Sequence, residues 1–326
     1  MTINLTDPIF TDEDKARAYF ESIRWPNGPV CTHCGNADAT RVYSITANPA
    51  HKVRAGLYEC QDCHGQFTVR TGSVMESSHV ALTKWALAYR LMASAKKGIS
   101  AHQLHRTIGV TYKTAWFMAH RIREAMRDIS GDKIGGAGTI TEADETYVGS
   151  KPRKPAGPSR GTGEPKRRGG GRSTKHRVPI VALVERGGRA VATPTIDATA
   201  GTLSSVVHAH VDLSGKLMID AWRGYITVGR EFAGGHERVD HGSGEYARGE
   251  AHVNEAESFF ALLKRGIVGS FHHVSPEHLS RYCDEFSFRW DRRSVDDTDR
   301  AAQAVKGGEG KRLTYRPLSA TAAPEA

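Results

Sequence analysis

The sequence has no apolar run approaching the roughly 18 residues that a membrane-spanning helix needs. Its start, MTINLTDPIFTDEDKARAYF, lacks a basic stretch followed by an apolar core, so no secretory signal is expected and the expected location is cytoplasmic. Cysteine is scarce, five in 326 residues, which excludes a disulfide-stapled scaffold. Acidic residues are the minority charge, 36 against 45 Lys and Arg. No serine, cysteine or tyrosine stands in a recognisable nucleophile setting. What remains, 39% hydrophobic and 25% charged residues, is ordinary for a globular chain, and the length allows two or three domains.

The net charge of +9 is unevenly placed. Residues 149–178 hold ten Lys and Arg against one acid, an excess equal to that of the whole protein. This Gly- and Pro-rich arm, which includes Lys166, Arg167 and Arg168, reads as a disordered basic insertion. Localised charge points to a polyanion partner; a solvated insertion with no ligand is the plainer alternative.

Four of the cysteines form two pairs, Cys31-Thr-His-Cys34 and Cys60-Gln-Asp-Cys63. The two-residue spacer lets both thiolates of a turn reach one tetrahedral ion, so a structural Zn²⁺ in a zinc ribbon is expected. Gly35 and His64-Gly65 follow the pairs and suit tight knuckle turns. His33 and His64 read as exposed spacers, and the unpaired Cys283 as a small buried hydrophobe. The ribbon alone does not decide between nucleic-acid and protein contacts.

Residues 79–97 have helical periodicity, ended by Gly98. Ser100 is a candidate N-cap for AHQLHRTI, Gly109 breaks that helix, and a third opens at Val110-Thr111. Short helix, glycine turn and longer helix form a helix-turn-helix pattern, with a plain helical bundle as the alternative. Tyr112, Lys113 and Thr114 would stand at the start of the third helix, where base edges are read. Trp116, Met118, Ile122 and Met126 fit its inward stripe, leaving Arg121, Arg123 and Arg127 elsewhere, with Arg121 a further DNA-contact candidate.

The segment HVNEAESFFALLK, residues 252–264, reads as a helix with Asn254, Glu257, Ala261 and Lys264 down one side. Upstream, strand-like runs carry Asp144 and Glu145 in TITEADETYVG, and Asp220 at the end of KLMID. Asp144 and Glu145 face opposite sides of a strand, so one of them points to any given site. The order of elements after residue 136 is three strands, helix, strand, helix or loop, strand, helix. That is an RNase H-like layout, in which the first and fourth strands are neighbours and Asp144 meets Asp220. Carboxylates held close favour a hard divalent cation, Mg²⁺ or Mn²⁺, and phosphodiester chemistry. Taken singly, each residue has a plainer role as a turn or helix cap. His208 and His210 have the wrong spacing for two ligands on one helix face, and His272-His273, in a turn after Gly269, reads equally as a phosphate contact or a plain loop pair.

These blocks together resemble the ISXO-type zinc-ribbon insertion-sequence transposases, DDE-type members of the RNase H-like superfamily. The resemblance covers about residues 15–318 and rests on CTHCG, CQDCHGQF, KKGISAHQLHRTIGVTYKTAWFMAHRIREAM, ADETYVG, MIDAWRGY and the block from His252 to Arg293. It implies a catalytic set of Asp144, Asp220, Asn254 and Lys264, with Glu257 an alternative third ligand, and it selects Asp144 over Glu145. It further implies metal-dependent cleavage and joining of double-stranded DNA at terminal inverted repeats. A homodimer or larger assembly, at work in the nucleoid, is implied as well. A zinc-ribbon regulator that binds DNA without cutting it is the competing reading. The expected architecture is multidomain α+β: a ribbon with an N-terminal helix over 1–75, a helix-turn-helix-like segment over 76–135, a catalytic domain over 136–300 and a tail over 301–326.

Overall fold

The computed structural model describes residues 4–149, 177–220, 222–239 and 247–314. The basic residues Lys166, Arg167 and Arg168 therefore lie outside the described residues. The chain divides into two compact units, Met1–Ile129 with Arg292–Ala326, and Ser130–Asp291.

In the first unit, helix α1 (Glu13–Arg24) is opened by Asp12, whose side chain accepts from the Asp14 and Lys15 amides. A three-stranded antiparallel sheet follows, β1 (Val42–Ile45), β2 (Leu57–Cys60) and β3 (Gln66–Phe67), in that spatial order. Trp25 packs edge-on against Tyr58 and Phe67 and ties the end of α1 to this small sheet. Three helices come next, α2 (Leu82–Ser94), α3 (Ala101–Ile108) and α4 (Tyr112–Met126). The boundaries of α3 are those its sequence predicts. Ser100 Oγ accepts from the Gln103 amide, and Gly109 closes the helix at φ +64°. Thr111 opens α4 by accepting from the Thr114 amide.

Helix α2 is shorter than its periodicity suggests. It ends at Ser94, because the following exposed Lys96 and Lys97 give a further turn nothing to bury. Its N-cap residue Ala81 has no side-chain acceptor to offer. The carboxylate of Glu13 on α1 does the work instead, accepting from the Leu82 and Thr83 amides at 2.8 and 3.2 Å.

The structure differs from the sequence pattern at two places. Arg121 and Arg123 are buried, 9% and 2% exposed, while Trp116 is only half-buried. The Arg121 guanidinium donates to the Glu76 carbonyl at 3.0 Å and lies over the Phe117 ring, so the protein interior, not a surface open to DNA, holds it. The helix Asp297–Lys306, capped by Asp296, straddles the boundary expected at residue 300 and packs on α1, α2 and α4 within the first unit.

The second unit is built on a mixed five-stranded sheet. Its first elements are β4 (Ile134–Gly135), β5 (Ile140–Gly149), β6 (Arg177–Glu185), β7 (Ala190–Pro194) and helix α5 (Ala200–His210). They are followed by β8 (Val211–Asp212), β9 (Lys216–Ile219), the short helix α6 (Ile226–Gly229), β10 (His236–Arg238), α7 (Asn254–Gly266) and α8 (Pro276–Asp291). The sheet order is β10-β9-β5-β6-β7; β4 and β8 pair separately. Strand β5 is therefore central, antiparallel to β6 and parallel to β9, as expected for the first and fourth strands.

Both faces of this sheet are covered. On one, Ile180, Ala182 and Val184 of β6 pack against Phe259, Phe260 and Leu263 of α7 and Phe286 of α8. On the other, Ala143, Val181, Leu183 and Ile219 pack against Leu203 and Val207 of α5 and Tyr225. Burial on both sides explains the nearly continuous apolar run in β6.

Candidate active site

The cysteine pairs converge. The four sulfurs all lie within 4.8 Å of one another, with Cys31 Sγ to Cys63 Sγ at 3.6 Å and Cys34 Sγ to Cys60 Sγ at 3.7 Å. A tetrahedral ion with bonds of about 2.3 Å sets its sulfurs about 3.8 Å apart, so the donor set fits Zn²⁺. Backbone amides of Cys63 and Asp62 draw the Cys60 thiol down, while the neighbouring thiols hold those of Cys34 and Cys63 up.

The knuckles differ in construction. Gly35 takes φ +77° in the first, but in the second the left-handed residue is His64 at φ +54°. Gly65 is needed for space instead, since a Cβ there would come within 2.6 Å of the His33 ring. His33 and His64 are exposed, and His33 Nε2 meets the Gln66 carbonyl oxygen at 3.2 Å. Cys283 is fully buried in the core under α7 and α8.

The acidic residues are placed by strand register. The last β5–β9 pair is Ala143 with Ile219, and the next residue on each strand is an aspartate, Asp144 and Asp220. Neighbouring strands lie about 4.8 Å apart, so these two stand side by side, Asp144 midway along β5 and Asp220 just past the carboxyl end of β9. Each has Oδ1 engaged locally at 2.8 Å, Asp144 by the Glu145 amide and Asp220 by the Trp222 amide. Burial, then the charge of Asp220, then that of Glu257, push the Asp144 carboxyl up to about 7, opposed by the Glu145 amide and by Lys264. The charges of Glu257 and Lys264 on α7 thus reach Asp144.

Helix α7 buries Ala256, Phe259, Phe260 and Leu263, and the adjacent stripe of Asn254, Glu257, Ala261 and Lys264 is exposed. The Lys264 ammonium lies 5.6 Å from the centre of the Phe260 ring. Asn254 is the first residue of the helix.

Three further residues belong to this site. Glu145 faces away from Asp144 across the strand, yet burial and the charges of Asp220 and Asp144 push it up to about 7. The Tyr225 hydroxyl beside it opposes that rise, although neither Glu145 Oε2 nor Tyr225 Oη has a hydrogen bond of good geometry. Burial and the same acids hold the Tyr225 phenol well above its ordinary range. Glu142, fully buried, shares the face of Asp144 two residues earlier and accepts from the Glu255 and Ala256 amides of α7. The alternation that places Asp144 on a face places Glu142 there too, a signal present in TITEADETYVG.

Among the described residues, the cysteine quartet is the one group of three or more His, Cys, Asp or Glu with ligand atoms all within 4.8 Å. The acids of the second unit share a field, with Asp144 and Asp220 as its nearest pair in register. Hard carboxylate and amide oxygens of this kind suit Mg²⁺ or Mn²⁺. Of the remaining sequence candidates, His208 pairs with Glu231 at 2.7 Å, and His272 Nδ1 meets the Val268 carbonyl oxygen. Tyr112 is 44% exposed and stacks on His102 at 4.2 Å, Lys113 is exposed and Thr114 half-buried. No helix among the described residues is long and apolar enough to cross a membrane.

Residues 136–291 match the ISXO2-like transposase domain, and residues 11–66 the transposase zinc-ribbon domain. The chain is 32% identical over 283 residues to an uncharacterized protein in transposable element ISH50 of Halobacterium salinarum, covering 86% of this chain and 91% of that one. Among solved structures, a pre-cleavage Mos1 transpososome is 11% identical over 64% of this chain and 75% of its own, with a TM-score of 0.25. The Mos1 strand transfer complex is 10% identical over 70% of this chain and 79% of its own, also at 0.25. Likeness at that level carries no argument about this fold.

Proposed function

This chain belongs to the ISXO2-like transposase family, and we propose that its second unit is an RNase H-like catalytic domain that cuts and joins double-stranded DNA at one divalent-cation site. The observation that carries the reading is the position of Asp144 and Asp220, side by side where the parallel pairing of β5 with β9 ends, within reach of the charges on α7.

Asp144 and Asp220 would hold Mg²⁺ or Mn²⁺, with Glu257 or Asn254 as the third ligand from the same side of α7. When bound, the cation supplies positive charge at the scissile phosphate. Lys264 is set to neutralise a non-bridging phosphate oxygen. Attack by water on the phosphorus breaks the bond to O3′ and leaves a 3′-hydroxyl at the element end. That hydroxyl then attacks a target phosphodiester and releases a target 3′-hydroxyl in exchange.

The ribbon and the α3–turn–α4 pair would grip the terminal inverted repeats, with Tyr112, Lys113 and Thr114 at the start of α4 as the reading end. Lys166, Arg167 and Arg168 would make non-specific phosphate contacts. Two ends held at once require a homodimer or larger assembly on DNA.

The test is a strand-transfer assay with labelled element ends and a supercoiled target plasmid in Mg²⁺. Covalent joining of the labelled 3′ ends to the plasmid is expected. Nicking without joining would reduce the protein to a nuclease, and binding without nicking would remove the catalytic reading.

A further inference from the structure

Helix α7 has no cap of its own. Its N-cap residue is Val253, which offers no side-chain hydrogen bond. Glu142 supplies the missing acceptor from the central strand: Oε2 receives the Glu255 and Ala256 amides at 2.8 and 3.1 Å. Its other oxygen, Oε1, receives Arg186 Nε at 2.7 Å and lies 3.2 Å from His252 Nδ1.

Arg186 extends the clasp. Its Nη2 donates to the carbonyls of Glu250 and His252, each at 2.9 Å. The next residue, Gly187, donates its amide to the Glu255 carboxylate at 3.0 Å. The β6–β7 turn, the central strand and the start of α7 are thus joined through one carboxylate that is 0% exposed.

That carboxylate stands two residues before Asp144 on the same strand, while the helix it grips carries Asn254, Glu257 and Lys264. We infer that Glu142 is a positioning residue: it fixes the start of α7 against β5, and so sets the α7 side chains at the distance from Asp144 and Asp220 that a shared cation needs. Removing a group that orients ligands typically weakens metal affinity about 10–100-fold. The inference rests on the catalytic reading above, and its test separates the two.

Mn²⁺ binding to the full-length protein would be followed by the paramagnetic resonance of the free ion, for the native chain, Glu142→Gln, Glu142→Asp and Asp144→Ala. Glu142→Gln should bind Mn²⁺ about 10–100-fold more weakly. Glu142→Asp, which keeps the charge but shortens the reach, should fall between and serves if the glutamine variant does not fold. Hydrogen exchange at the Glu255 and Ala256 amides should speed up in both while the sheet core stays protected. Lower melting temperatures with native Mn²⁺ affinity would make Glu142 merely structural and overturn the inference. Native affinity in Asp144→Ala would instead overturn the cation site itself.

Discussion

Asp144 and Asp220 are separated by 76 residues in sequence and by one strand spacing in the fold, each the residue after the Ala143–Ile219 pair of β5 and β9. Burial and, after it, the repulsion between two acids so placed raise the carboxyl of Asp144 to about 7.

A first consequence concerns pH. A carboxyl whose folded pKa lies above its unfolded value of about 4 stabilises the fold below that value and loses the contribution as pH rises through the folded one. With chelator present, the second unit should therefore lose stability, on the order of a few kcal/mol, between about pH 4 and about pH 7. Added Mg²⁺ or Mn²⁺ should raise the melting temperature more at pH 8 than at pH 5. A metal-induced shift that is equal at both pH values would contradict the assignment.

The third ligand can be identified by substitution. The charge of Glu257 reaches Asp144, while Asn254 carries none. Glu257→Gln is expected to reduce end cleavage by about 100-fold or more, and Asn254→Ala by about tenfold, on the scale of ligand and outer-shell losses. The opposite ranking in a cleavage time course would assign the site to Asn254.

The ribbon should be metal-dependent. One Zn²⁺ per chain is expected by elemental analysis, and a strong chelator should unfold the ribbon, because its few apolar residues cannot hold it alone. Near-ultraviolet circular dichroism would follow the loss of packing around Trp25, Tyr58 and Phe67. Cys60→Ser should behave as the chelated protein does.

Arg121 and Lys113 are expected to separate stability from binding. Arg121→Ala removes a buried guanidinium that bonds the Glu76 carbonyl, and should cost about 1–3 kcal/mol in unfolding free energy. Its affinity for end DNA, per folded molecule, should stay native. Lys113→Ala should leave stability unchanged and weaken end binding, with a shallower salt dependence. Gel-shift titrations at several salt concentrations would read both.

Much of this was legible in residues whose signals are local. Ser100, Gly109 and Thr111 mark their helix ends through side chains or φ values that act within a few residues. The cysteine spacing and the period-two run around Asp144 are equally short-range. The contacts that escaped reading are tertiary. Glu13 caps α2 from 69 residues away and Glu142 caps α7 from 113, and in both cases the local N-cap residue, Ala81 or Val253, gives no sign of it. Arg121 has the sequence setting of a surface charge, because nothing in its neighbourhood reveals the Glu76 carbonyl 45 residues upstream. The helix Asp297–Lys306 returns to the first unit through packing on α1, α2 and α4, which no feature of its own sequence announces.

The most direct measurement is cleavage of a labelled element-end duplex in Mg²⁺ by the native chain, Asp144→Ala, Asp220→Ala and the double variant, with end binding measured in parallel. If the two carboxylates serve one cation, each single variant should lose cleavage by about 1,000-fold or more, the double should be no worse, and binding should persist throughout. Near-native cutting by either single variant would contradict the account.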